Sequence, residues 1–287
     1  MDGGVEDFLG QSRAVLGAGP VALILVEDLV AVEETIRHHI AAGFRTLLVL
    51  APPVLRLPDD LARQVHRIDC DMRAPGALGR AVNPLIAAAP PGTWMYYCYN
   101  AEFLFHPFSE HRNVRELLAF HAEERRDAML TYVIDLYAPD LAANPDAVDL
   151  GDAMFDRTGY YALARTGADG QPRQRQVNCF GGLRWRFEEH IPPLRRRIDR
   201  IALFRARPGL VLRDDHTFSD EEYNTYSCPW HHNLTAAIAS FRAAKALMSN
   251  PGSRAAIRTF TWDNSAVFDW RAQQLMDLGL MEPGQWF

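Results

Sequence analysis

The chain has 287 residues, 48% of them apolar and 23% charged, which excludes a disordered chain and allows a large buried core. A net charge of -6 and a pI near 5.9 exclude a global basic field for nucleic acid, so no nucleic-acid partner is expected. No apolar run reaches the ~20 residues of a bilayer-spanning helix.

Met1 to Gly19 is acidic and rich in small residues, without the basic and apolar regions of a signal peptide, and reads as an N-terminal extension. Cys70, Cys98, Cys179 and Cys228 stand far apart without zinc-finger spacing, so they read as reduced thiols of a cytoplasmic protein. Val21 to Val26 is a continuous apolar run of the kind that forms a strand buried on both faces, and it ends in Glu27-Asp28. Val32, Ile36, Ile40 and Phe44 recur at helical spacing before a second apolar strand, Thr46 to Leu50. This β-α-β opening predicts a parallel crossover within one α/β domain that spans residues 20–287.

Leu61 to Gln64 reads as a short helix, Val65 to Asp69 as a strand, and Leu78 to Ala89 as a helix stopped by Pro90-Pro91-Gly92. The aromatic stretch from Thr93 to Tyr99 reads as a central strand, with Asn100 and Glu102 at its carboxyl end, where open α/β sheets bind ligands. The alternative leaves Glu102 a solvated loop residue. Asn113 is placed to cap a helix running to about Glu124, and Ala128 to Tyr137 reads as a strand carrying Asp135 near its end. Residues 138–175 show no sustained period and are expected to form long loops.

Gly181-Gly182 permits close backbone approach or positive φ, and Arg184 and Arg186 behind it carry donors suited to a phosphate; a turn followed by an exposed strand explains the same residues. Pro208-Gly209 between two apolar runs predicts a hairpin. Asp214-Asp215-His216 reads as a capped turn or as a metal-sharing group. Arg195-Arg196-Arg197 with Arg200 reads as a solvated basic face, with a phosphate or nucleic-acid patch as the alternative. Leu234, Ile238 and Phe241 predict a helix beginning near His232-Asn233, and Phe268, Ala272 and Leu275 a last one ending at Gly279.

Five of these passages, in order, resemble those of bacterial family-2-like glycosyltransferases of the GT-A fold. Ile36 to Phe44 resembles the family's (W/H)xxYHxxxGF, and Trp94 to Pro107 its W(V/L)xxxDADE(F/L)LxxP. Val133 to Tyr137 is similar to MxLDMY, Phe180 to Phe187 to GGxRxRxF, and Ser265 to Met281 to SxxYxxWxQLxxLGLM. The resemblance implies a mostly parallel GT-A-like sheet flanked by helices, with C-terminal helices. It also implies transfer of a sugar, in the manner of a hexosyltransferase, from a nucleotide-sugar donor to a glycan, lipid-linked or protein acceptor.

By the same resemblance Glu27, Asp28, Asn100, Glu102, Gly181, Gly182, Arg184 and Arg186 would meet the donor, and Asp135, Glu188 and Glu189 are the candidate bases. Glu102 and His232 are the candidate metal contacts. The family holds Mn or Mg through an Asp-x-Asp pair, but Tyr99-Asn100-Ala101 stands at that position and both aspartates are missing. Neutralisation of the leaving diphosphate would then fall to Arg184 and Arg186, with His232 as a further candidate. A relative that binds carbohydrate or a protein partner without turnover is the alternative.

Overall fold

The computed structural model describes residues 3–226 and 233–286. In chain order the elements are α1 (Gly3–Ser12), β1 (Val21–Leu25), α2 (Val32–Ala41), β2 (Thr46–Ala51), α3 (Asp59–Ala62), β3 (His66–Asp69), α4 (Ala77–Ala88), β4 (Trp94–Tyr99), β5 (Glu102–Phe105), α5 (Val114–Glu123), β6 (Ala128–Tyr137), β7 (Met154–Asp156), β8 (Tyr161–Thr166), β9 (Pro172–Phe180), α6 (Gly182–Arg186), β10 (Asp199–Arg205), β11 (Ala236–Ser240), α7 (Arg242–Ser249), α8 (Pro251–Ala256), β12 (Ser265–Val267) and α9 (Ala272–Asp277). The fold is α/β, and its described residues divide into two compact units. The first lies within Met1–Phe103, Arg112–Leu130 and Ile201–Asn224, the second within Leu104–His111, Thr131–Arg200 and Thr225–Phe287.

The first unit is built on a mixed, mostly parallel sheet in the order β10-β4-β1-β2-β3. β1 pairs in parallel with β2 from Val21↔Thr46 to Leu25↔Leu50, and with β4 from Val21↔Met95 to Leu25↔Tyr99. β10 runs antiparallel to β4. Every residue of β1 and β2 is buried, as expected of apolar runs covered on both faces. α2 packs on β1 and β2, and α1, which formed no part of the sequence expectation, covers the edge strand β3. Asn113 caps α5 as expected, with a full capping box: its side chain accepts from the Arg115 and Glu116 N–H groups while the Glu116 carboxylate accepts from the Asn113 N–H.

In the second unit β6 pairs in parallel with β11 and antiparallel with β7, and β7 in turn pairs antiparallel with β12. Tyr137, Leu183, Leu247, Met248 and Phe260 pack into one apolar cluster of this unit. Three expectations, the last of them in the first unit, need correction. Ala236 to Ser240 is a fully buried strand, and the helix starts only at Arg242: a short apolar run of small residues has no side-chain period to separate the two states, and pairing with β6 decides it. Residues 138–175 are not all loop, because β7 forms there by pairing with β6 and β12, and β8 forms by pairing with β9 in a local hairpin. Leu210 to Leu212 does not pair back onto β10 but bridges to Phe218 within its own loop. No helix among the described residues is long and apolar enough to cross a membrane.

Candidate functional site

Two groups of the singled-out residues emerge, one in each unit. In the first unit the chain order β1, β2, β3 runs one way across the sheet and β4 lies on the other side of β1, so β1 and β4 flank a topological switch point. The loop after β1 carries Glu27 and Asp28, both half-buried, and the loop after β4 carries Asn100 and Ala101. Asn100 is fully buried and ties the two loops together. Its Oδ1 accepts from the Glu27 N–H at 2.9 Å, and its Nδ2 donates to Asp28 Oδ1 at 2.6 Å and to the Val30 carbonyl at 2.9 Å. A neutral amide suits this place because it offers an acceptor and two donors, where a carboxylate offers acceptors alone.

Glu102 opens β5 and is fully buried, which excludes the solvated-loop alternative. One of its carboxylate oxygens accepts from the Tyr99 N–H at 2.8 Å, closing the turn after β4. Ala101 takes a positive φ of 60° in that turn, and its N–H donates to Thr35 Oγ1. Beneath these loops His39 is buried between Tyr96 and Phe44, donating from Nδ1 to the Thr35 carbonyl at 2.7 Å. Burial drives its pKa down to about 3, so it is a neutral ring of the core.

A hard divalent cation needs several unengaged oxygens. At the Asp-x-Asp position Asn100 has its amide engaged three times, Ala101 has no ligand atom, and Glu102 turns back onto its own turn. These residues do not fit such an ion. Among the described residues no group of three or more His, Cys, Asp or Glu side chains is arranged to hold a metal. His232 lies outside the described residues. Asp215 caps its own turn by accepting from the Thr217 N–H and hydroxyl, and His216 shares a 3.0 Å hydrogen bond with the Tyr97 hydroxyl.

In the second unit Asp135 and Tyr137, two residues apart on β6, face the same way. α6 lies against them and carries Arg184 and Arg186. Asp135 is buried; its Oδ2 accepts from the Arg184 N–H at 3.3 Å and its Oδ1 from Arg184 Nε at 3.1 Å. Burial pushes its carboxyl above the ordinary range, and the Arg184 guanidinium opposes that shift. Both glycines have physical reasons to be there. Gly182 has φ of 61°, and a Cβ on it would stand 3.1 Å from Asp135 Oδ2, while one on Gly181 would run into the Tyr160 ring.

Arg186 pairs with Asp156, a residue that no motif singled out. Asp156 is buried on β7 and its Oδ1 accepts from Arg186 Nη1 at 2.9 Å, from the Tyr137 hydroxyl at 2.6 Å and from Trp262 Nε1 at 2.7 Å. Ser265 in turn meets the Tyr137 hydroxyl at 2.7 Å. The guanidinium lies over the rings of Trp262 and Phe187, at 4.7 and 5.2 Å from their centroids. Three separated passages, around Asp135, Gly181-Gly182 and Ser265, therefore meet in one buried cluster. Glu188 and Glu189 do not join it: they sit exposed on a 3-10 turn, where Glu188 pairs with Arg196 at 3.2 Å. The basic run is also partly engaged, since Arg197 donates to Asn178 and Arg200 is buried.

The class defined by these features is an α/β protein with a topological switch point beside β1 and a buried aspartate-arginine cluster. Compared with known proteins, the chain matches no family model and no curated protein.

Proposed function

We propose that this protein binds a nucleotide-sugar donor at the carboxyl ends of β1 and β4 and transfers the sugar to a glycan, lipid-linked or protein acceptor. The observation that carries the reading is the switch point between these strands, where Glu27 and Asp28 emerge beside the Asn100 turn. Half-buried carboxylates at such a place accept hydrogen bonds from ribose or sugar hydroxyls. Transfer with inversion further needs a carboxylate base near the acceptor hydroxyl; of the three expected residues Asp135 is buried with both oxygens accepting from Arg184, and Glu188 and Glu189 are exposed. The resemblance to family-2-like glycosyltransferases supplies the reaction class.

The test is a panel of UDP-, GDP- and dTDP-sugars, each with and without Mn. One member is expected to raise the melting temperature, because a ligand at about 100 times its Kd stabilises the folded state by about 2.7 kcal/mol. The same member should release nucleoside diphosphate when an acceptor is supplied. A flat panel sinks the donor reading.

One observation favours a second reading, binding of a carbohydrate or partner without turnover. Arg184 and Arg186, the cations expected to neutralise a leaving diphosphate, both pair with buried carboxylates of the protein itself. A donor that binds but never turns over, with any acceptor tried, would establish this second reading over the first.

A further inference from the structure

The second unit holds a cleft of about 280 Å³ lined by Arg157, Asp269, Arg271, Gln273, Gln274 and Asp277 among others. It lies where β12 leads into α9. Arg157 directly follows Asp156, and its N–H donates to the Asn264 carbonyl, which fixes the backbone of that wall. The side chains of Arg157 and Arg271 make no hydrogen bond or ion pair among the described residues, although most other arginines of this unit are paired.

The remaining wall is fixed by short bonds. Gln274 accepts from the Asp269 N–H at 3.0 Å and donates to the Val267 carbonyl at 2.8 Å, so its amide is fully oriented. Asp269 Oδ1 accepts from the Arg271 N–H at 3.0 Å, and Asp277 Oδ1 from Gln273 Nε2 at 2.7 Å. Each carboxylate keeps its second oxygen for a ligand. Two guanidinium groups and several acceptors thus line one small space.

That combination selects a chemistry. Two guanidinium forks recognise a single anionic group bidentately, while carboxylate and amide oxygens accept from hydroxyls. Two carboxylates in the same cleft repel a polyanion. The volume lies just below the roughly 300 to 1,000 Å³ of most ligand sites and suits a single ring. We propose that this cleft is a binding site for an acidic monosaccharide, a pyranose bearing one carboxylate. The site stands independently of the donor reading, because its residues take no part in the switch point.

The experiment is a calorimetric titration of the whole chain with glucuronate, glucose, glucose 6-phosphate and inorganic phosphate, in the absence of any nucleotide sugar. Glucuronate should bind saturably, with glucose at least ~10-fold weaker because it lacks the group the arginines read. The double variant Arg157→Gln with Arg271→Gln should weaken glucuronate by at least ~10-fold while keeping the melting temperature, since both side chains are exposed. Absence of saturable glucuronate binding overturns the proposal. So do equal binding of glucose, tighter binding of glucose 6-phosphate or of inorganic phosphate, and unchanged affinity in the double variant.

Discussion

The switch point of the first unit and the aspartate-arginine cluster of the second are both built at the carboxyl end of a buried strand, yet they satisfy their polar groups in opposite ways. At the switch point a neutral amide, Asn100, joins two loops with three hydrogen bonds and carries no charge into the interior. In the cluster, Asp135 and Asp156 are buried as carboxylates and rely on Arg184 and Arg186. Removing two charges from water costs several kcal/mol per ion, and the mutual attraction offsets it only while both partners stay in place. The Asn100 amide itself needs no counter-charge, although its partners include the Asp28 carboxylate and the buried Glu102 carboxylate closes the same turn. Loss of one Asn100 bond is therefore expected to cost less than loss of either partner in an aspartate-arginine pair.

The sharpest way to break this comparison is to strand one charge. Asp156→Ala leaves the Arg186 guanidinium, whose side chain is 11% exposed, without its carboxylate, and is expected to lower unfolding free energy by about 3–5 kcal/mol in urea titrations. Replacing both partners, Asp156→Leu with Arg186→Met, should recover most of that loss. An equal loss in the single and double variants would show that the pair is not the source. Arg184→Ala should behave like the first variant, which makes turnover measurements on it meaningful only alongside a folding measurement.

Placing a charge where the amide stands tests the other side. Asn100→Asp sets a carboxylate against Asp28 Oδ1, now 2.6 Å from the amide nitrogen, and strips the Val30 carbonyl of its donor. The expected cost is about 3 kcal/mol at neutral pH. The repulsion raises the folded-state pKa of the new carboxyl, so the penalty is full above that pKa and fades as pH falls through it. A variant equally destabilised at pH 4 and pH 7 would contradict the account.

Acid should distinguish the two units next. His39 and His121 of the first unit are buried, with pKa values pushed down to about 3 and about 4 by desolvation. Each binds its proton more readily when unfolded, so its contribution is complete above the ordinary value near 6.5 and declines as pH falls below it. At pH 5 each subtracts about 2 kcal/mol from stability, at about 1.4 kcal/mol per pH unit. In the second unit Asp135 and Asp199 have carboxyls raised by burial, and that shift makes no demand for high pH. Hydrogen exchange followed from pH 7 to pH 5 should show the first unit opening first. His39→Phe should flatten the acid slope, and an unchanged slope would remove His39 from the explanation.

The smallest effect concerns a purely local device. Asn113→Ala removes the α5 cap and should cost about 1 kcal/mol with no change in pH dependence. A much larger loss would mean that Asn113 holds more than its helix.

What the sequence determined by itself is what depends on neighbours along the chain. The apolar runs of β1, β2 and β4 announced strands, that of β1 as buried on both faces, and Asn113 announced the start of α5. Asp135 was legible as a polar residue closing an apolar strand. Asp156 carried no such signal, because its partners Arg186 and Trp262 lie 30 and 106 residues away and only the packed sheet brings them to it. The tertiary structure likewise decided that Arg184 and Arg186 face carboxylates of their own chain: a guanidinium signals affinity for anions, and which anion it meets depends on distant segments. It decided β11 too, since a short run of small apolar residues packs equally well as helix or strand until a parallel partner such as β6 takes up its backbone hydrogen bonds.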